Sequence, residues 1–298
     1  MTETATKAET KTAWVFPGQG SQAVGMGADL AEACREKLTQ AEEILGWSVL
    51  DVCQNEDKLS HTLYTQPSLY VIECALADLL VASGQQPDVV AGHSLGEYSA
   101  LYAAGVFDFA SGLRLVKTRT ELMSQASEGM MAALMGFKRD ELDTKIAATE
   151  GVVLANDNNP GQVVISGEPA AVEAVINGVK CKRAVKLNVS GAFHSPLMAE
   201  AAEAFETVLA EVSFQDASIP VMSNVDPTPD TKAAALKERL RQQMTGSVRW
   251  REISLALPEQ SVGTVVEVGP GKVLTGLIKR TCKGLTLKNV NSLEAVGG

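Results

Sequence analysis

Hydrophobic and polar positions along this chain fall into two rhythms. Short unbroken apolar runs read as buried strands, and longer stretches with apolar residues three and four apart read as helices. Thr12 to Phe16 is the first short run. It ends at Pro17-Gly18-Gln19-Gly20, which reads as a tight loop. Helical stretches are expected over Ala28 to Ile44 and over Pro67 to Ala82, the latter stopped at Gly84. Asp88 to Ala91 is a second short strand that runs straight into Gly92. Glu97 to Ala104, stopped by Gly105, and Phe109 to Ser127 follow as helices. Strands and helices alternating in this way predict an α/β fold, a hydrolase-like and largely parallel sheet with helices on both faces.

The middle of the chain changes rhythm. Strands are expected at Met130 to Met135, Val152 to Ala155, Gln162 to Ser166 and Arg183 to Val189. Helices fit Arg139 to Thr149 and Pro169 to Val179, with Pro169 at a first-turn position. Asn158-Asn159-Pro160-Gly161 is the turn signal between the second and third strands. Strand-helix-strand-strand-helix-strand is the order of a ferredoxin-like unit. Residues 129–190 are therefore read as a small ferredoxin-like domain inserted in a large one made of 12–128 and 191–298. The second part of the large domain carries helical patterns at Ser195 to Val212, Lys232 to Gln243 and Val273 to Arg280. Short strands are expected at Ile219 to Met222 and Thr264 to Val268, the last closed by Gly269-Pro270-Gly271. Met1 to Lys11 is polar and reads as a loose tail.

With 298 residues, 45% of them hydrophobic, the chain can bury the core of one large domain and a smaller one. A formal charge of -10 argues against a broad nucleic-acid-binding face. Two basic clusters interrupt it, one at Lys180, Lys182, Arg183 and Lys186, the other at Lys272, Lys279, Arg280, Lys283 and Lys288. Each reads either as a solvated face or as a docking patch. The five cysteines are odd in number and form no C-x-x-C, the N-terminus has no apolar signal core, and no apolar run reaches the roughly 20 residues that span a bilayer. A cytoplasmic protein with reduced thiols and no membrane partner is the expectation. The three histidines do not pair with cysteines at ligand spacing, so no metal site is expected.

Gly92-His93-Ser94-Leu95-Gly96 sits where a strand meets a helix. A serine at the apex of such a turn exposes its hydroxyl above the sheet, and the glycines let strand and helix approach. The N–H of Leu95, opening a helix, is placed to stabilise an oxyanion. Serine needs a general base, most often histidine. His93 adjoins the serine and leaves the turn in another direction. His61 lies in the polar stretch Leu59-Ser60-His61-Thr62. His194, in the loop Ser190 to Pro196, is left as the base. No acid stands at a spacing that assigns it to orient the imidazole, and a main-chain carbonyl is the alternative.

Arg119 is on the wrong face of its helix. At 100° per residue, Leu115, Val116, Leu122 and Met123 lie within roughly 60° of it, while Arg114 and Lys117 lie opposite. A guanidinium pointing inward needs a partner. An interior ion pair or snorkelling would satisfy it; so would the carboxylate of a substrate, gripped by two parallel hydrogen bonds.

With these motifs together the chain resembles the malonyl-CoA:acyl-carrier-protein transacylases of bacterial-type fatty acid synthesis. The resemblance rests on Phe16 to Gln22, Tyr64-Thr65-Gln66-Pro67, Gly92 to Tyr98, Asn159 to Gly167 and Glu267-Val268-Gly269-Pro270-Gly271, in order. It implies a malonyl ester on Ser94, with His194 as general base and then general acid. It further implies oxyanion contacts from the Gln19 and Leu95 N–H groups and a malonyl-carboxylate contact from Arg119. A main-chain carbonyl, assigned to Arg249, would orient His194, and Lys182 and Arg183 would meet CoA or the carrier. Gly191-Ala192-Phe193-His194 resembles the malonyl-selecting form of that loop, with Phe193 crowding any α-substituent. The implied partners are malonyl-CoA and acyl carrier protein, acting on a monomer without a cofactor. An esterase or lipase would share the serine turn, but no His-Gly-Gly-Gly precedes it. A non-catalytic carrier-binding module would need none of Ser94, His194 and Arg119.

Overall fold

The computed structural model describes residues 10–126 and 128–297. The tail expected over Met1 to Lys11 therefore lies outside them up to residue 9, as does Ser127. Nine strands are described: β1 (Lys11–Phe16), β2 (Val89–Gly92), β3 (Met130–Met135), β4 (Val152–Asn159), β5 (Gln162–Gly167), β6 (Arg183–Lys186), β7 (Val221–Met222), β8 (Val262–Val268) and β9 (Thr286–Val290). Before β2 come α1 (Arg35–Leu45), α2 (Val49–Cys53), α3 (Glu56–Ser60) and α4 (Thr62–Ala82). Between β2 and β6 lie α5 (Gly96–Ala103), α6 (Phe109–Gln125), α7 (Arg139–Ala147) and α8 (Pro169–Gly178). The rest are α9 (Ala199–Glu211), α10 (Ala233–Gln243), α11 (Trp250–Glu259), α12 (Val273–Thr281) and α13 (Leu293–Val296).

The larger sheet has the order β7-β2-β1-β8-β9, and every pairing in it is parallel. Side chains of β1 alternate between its two faces, as a pleat dictates. Trp14 and Phe16 enter the core built with Leu69, Tyr70 and Leu76 of α4 and Leu113 and Val116 of α6. Ala13 and Val15 enter a second core with Trp250, Ile253 and Leu257 of α11 and Leu274 and Ile278 of α12. The α/β class with a helix-flanked parallel sheet is thus the observed one.

The second sheet, order β4-β5-β3-β6, is antiparallel throughout. One face packs Ala132, Leu134 and Ile165 on Leu142 of α7 and Val172 and Val175 of α8. From the other face Met131, Ala133, Ala155 and Val164 join the main core. Strand β4 extends four residues past the expected Ala155, and its Asn156 makes a parallel bridge to Val248. Asp157 and Asn159 pair with Val163 and Gln162 of β5, so Asn158 and Asn159, which the turn signal suggests as loop, lie within the strand.

Other differences have local causes. The helix expected from Ala28 begins as a 3-10 turn at Ala28–Leu30 and becomes α1 only at Arg35. The helix expected from Pro67 starts at Thr62 and holds Pro67 inside it. The Thr65 hydroxyl bonds the carbonyls of Leu59 and His61 at that entry. Helix α11 and strand β9 were not anticipated, because each completes its apolar side only against the rest of the fold. Among the described residues no helix is long and apolar enough to cross a membrane.

Candidate active site

Ser94 stands between β2 and α5 with φ 53°, a left-handed conformation that costs a non-glycine residue energy. Its neighbours show why the turn needs glycine. A Cβ on Gly92 would run into the carbonyl of Gly96, and one on Gly96 would run into the carbonyl of Phe16 at the end of β1. The His93 N–H donates to that same Phe16 carbonyl at 2.9 Å, tying the turn to the neighbouring strand. Asn224, just after β7, clamps the turn from the other side. Its Oδ1 accepts the Ser94 N–H at 2.7 Å and its Nδ2 donates to the Gly92 carbonyl at 2.5 Å. Among the described residues the N–H groups of Leu95 and Gln19 have no protein acceptor. Gln19 reaches the site because β1, which leads into its loop, pairs with β2, which leads into the serine.

His194 lies 4% exposed in the loop after β6, also left-handed at φ 58°. Its Nε2 is 2.8 Å from Ser94 Oγ. Its Nδ1 faces two carbonyls, Gln243 at 3.0 Å and Gly246 at 3.1 Å. Two acceptors on one nitrogen assign the ring proton to Nδ1, leaving the Nε2 lone pair toward the hydroxyl. Burial first, and the nearby Arg119 charge second, push the imidazole down to about 3. It is therefore neutral in the free protein, as a base must be. The carbonyl assigned to Arg249 is not among its partners. That oxygen accepts the N–H groups of Glu252 and Ile253 and so is consumed in opening α11, while the Arg249 side chain pairs with Glu252 at 2.5 Å. Gln243 and Gly246 take the role instead.

Arg119 is fully buried on α6. Its direct partners are neutral. Nη1 donates to Gln66 Oε1, and Nη2 donates to Ser94 Oγ at 3.1 Å and Gln243 Oε1 at 3.2 Å. The interior ion pair that would have explained it structurally is missing among the described residues, and its Nε is buried with no acceptor at all. A buried cation with an unused N–H beside a nucleophile is equipped to receive an anion. The Gln66 amide continues the chain outward, its Nε2 donating to Gln19 Oε1 at 3.2 Å, and Gln19 Nε2 donating to Thr62 at 3.0 Å.

The structure thus brings together Ser94, His194, Arg119, Leu95 and Gln19. It does not bring in Lys182 and Arg183, which stand exposed at the start of the edge strand β6. His61 is exposed, and His93 turns aside to place its Nε2 2.8 Å from Asn158 Oδ1. Four site residues are not singled out for these roles by the sequence: Gln66, Asn224, Gln243 and Gly246. Gln243 carried a signal of the same kind as Arg119, since it sits on the buried stripe of α10 with Leu236 and Leu240. Asn224 carried none, because its partners are distant in sequence. Chemically the set can deprotonate a hydroxyl, hold an oxyanion and grip a carboxylate next to both.

The acyl transferase domain family matches residues 13–298. Over 287 residues the chain is 61% identical to the malonyl CoA-acyl carrier protein transacylase of Synechocystis sp., covering 95% of this chain and 98% of that protein. The crystal structure of the Synechocystis sp. malonyl-CoA:ACP transacylase superposes with a TM-score of 0.95, over 96% of this chain and 99% of that one at 61% identity. A malonyl-transacylase in complex with its type II polyketide synthase acyl-carrier protein superposes with a TM-score of 0.92. It is 38% identical, with 96% and 98% of the two chains covered.

Proposed function

Since the chain belongs to the acyl transferase domain family, we propose that it moves a malonyl group from malonyl-CoA to the phosphopantetheine thiol of an acyl carrier protein, through an ester on Ser94. The observation that carries this reading is the meeting of the 2.8 Å Ser94–His194 pair with a buried Arg119 that has no acidic partner among the described residues. His194 Nε2 takes the Ser94 proton as Oγ attacks the malonyl thioester carbonyl. The unpaired N–H groups of Leu95 and Gln19 receive the oxyanion, and Arg119 holds the free carboxylate. The C–S bond then breaks and His194 returns the proton to the CoA sulfur. The carrier thiol reverses the sequence, losing its proton to His194, attacking the ester and releasing Ser94. This chemistry asks nothing of a metal or redox group. It supplies extender units for chain-building synthesis.

Finer features extend the same reading. Phe193, 6% exposed beside His194, crowds a substituent on the malonyl α-carbon. Lys182 and Arg183 are offered as a docking patch for CoA or carrier. Residues 129–190 act as a small domain set into the larger one, which supports a cleft for both substrates. A monomer remains part of the reading, and five cysteines free of disulfides suit the cytoplasm.

The test mixes the protein with malonyl-CoA and carrier protein bearing its phosphopantetheine arm, and reads the mass of the carrier. A malonylated carrier is expected, and none with Ser94→Ala. Rapid release of free malonate without a carrier would instead point to a hydrolase, and carrier binding without exchange to a binding module.

A further inference from the structure

Among the described residues Arg119 has no ion-pair partner, yet a buried guanidinium rarely stays uncompensated. Its nearest route to a negative charge runs through one amide. Gln243 Oε1 accepts from Arg119 Nη2 at 3.2 Å, and Gln243 Nε2 donates to Glu97 Oε2 at 2.8 Å. Glu97 sits on α5 one turn beyond the nucleophile and is fully buried. The same Oε2 accepts the Asn224 N–H at 3.1 Å, whereas Oε1 is buried with no partner. The groups facing this carboxyl are Gln243 from α10, Asn224 and Ser223 from the segment after β7, and Arg119 from α6. Only Arg119 among them is charged. Gln243 is also bonded to the Ser94 carbonyl at 2.8 Å, so the relay cannot turn over without disturbing the nucleophile.

We propose that Glu97 is the resident counter-charge of Arg119, acting through Gln243 as a positioning residue, and that it takes up one proton when the malonyl carboxylate arrives. The idea rests on the malonyl-ester reading above. In the free protein one buried cation faces one buried carboxylate. After loading, a second carboxylate shares that cation, and two anions around one guanidinium in a dry site favour protonation of one of them. The malonyl carboxylate bonds the guanidinium directly, so Glu97, held one amide away, is the one that gives up its charge. The partnerless Oε1 can take the proton without breaking either bond to Oε2, and the nearby Ser223 side chain counts among the groups that hold the carboxyl down before loading. Burial already lifts this carboxyl above the usual range, opposed by its bonds to Gln243 and Asn224 and by Arg119. The proton comes from solvent and is separate from the one His194 passes from Ser94 to the CoA sulfur. Loading coupled to proton uptake weakens as pH rises, by up to about tenfold in equilibrium constant per pH unit.

The experiment loads the protein with malonyl-CoA in weak buffer at neutral pH, reading ester by intact mass and protons by an indicator dye. Uptake approaching one proton per ester is expected in the native protein and none in Glu97→Gln, whose amide oxygen can still accept from Gln243 and Asn224. Ester without uptake overturns the proposal. Uptake that persists in Glu97→Gln assigns the proton to His194 and also overturns it. Absence of ester overturns the malonyl-ester reading and this one with it. If the variant does not fold, infrared difference spectra of the native protein with 13C-labelled glutamate decide. A protonated glutamate band appearing on loading is expected, and an unchanged carboxylate band contradicts the proposal.

Discussion

At the scale of single residues the site depends on what burial does to charge. His194 is driven to about 3 chiefly by desolvation. On the free protein the acid limb of kcat/KM therefore belongs far below the ordinary histidine range, and a pH-rate profile with a limb near 6.5 would contradict this. The same shift is a stability effect. The unfolded chain, with histidine near 6.5, binds the proton more readily than the folded one. The contribution is therefore complete above about 6.5 and drains away as pH falls toward 3. Acid should thus remove activity through unfolding, and melting and rate profiles measured together check this. Arg119→Ala should remove the proposed carboxylate grip and is expected to lower malonyl transfer about a hundredfold, roughly 2.7 kcal/mol, with preference moving toward acetyl-CoA. Unchanged malonyl kinetics would remove Arg119 from the site. Arg119 was legible because a cation on an apolar stripe breaks the helical pattern. Gln243 broke the α10 pattern as well, but a neutral amide there is a weaker anomaly, and nothing in sequence said that its main-chain carbonyl serves His194.

At the scale of elements, short-range packing fixes the turn and a buried carboxylate fixes α12. Gly96→Ala would press a methyl into the Phe16 carbonyl, so strand and helix must part. Loss of activity with a folded chain, or failure to fold, is expected, and a fully active Gly96→Ala would refute this account of the turn. Glu267 at the end of β8 accepts the Leu274 and Thr275 N–H groups at 2.9 and 2.8 Å, the Thr275 hydroxyl at 2.8 Å and Asn289 Nδ2 at 3.0 Å. It thereby caps α12 and ties β9 to it. Glu267→Ala should cost about 3 kcal/mol in urea unfolding, from the lost cap and unpaired donors. The strands and helices that bury a continuous apolar side were legible in the sequence. Helix α11 was not, since its Trp250, Ile253 and Leu257 follow a segment with no cap signal and run into Pro258, which reads as a helix breaker although the helix holds it inside its last turn.

At the scale of the whole molecule, the second sheet is joined to the segment leading into α11 where the histidine is held. Asp157 of β4, 3% exposed, receives Arg139 of α7 at 3.0 Å and Arg251 of α11 at 2.9 Å. Its N–H donates to the Val248 carbonyl at 2.9 Å, two residues beyond Gly246. Asp157→Ala should cost about 2 to 3 kcal/mol, below the usual loss for breaking a buried pair because both arginines are partly exposed. This seam had no sequence signature, because pairing between Asn156 and Val248 spans the chain, whereas the repeating strand-helix rhythm on either side of it did. The most direct measurement of the central claim is intact mass after brief exposure to malonyl-CoA, with and without the carrier protein. The expected result is one malonyl adduct per chain that the carrier discharges and that Ser94→Ala does not form. An adduct that survives in Ser94→Ala, or one that leaves as free malonate without a carrier, would contradict it.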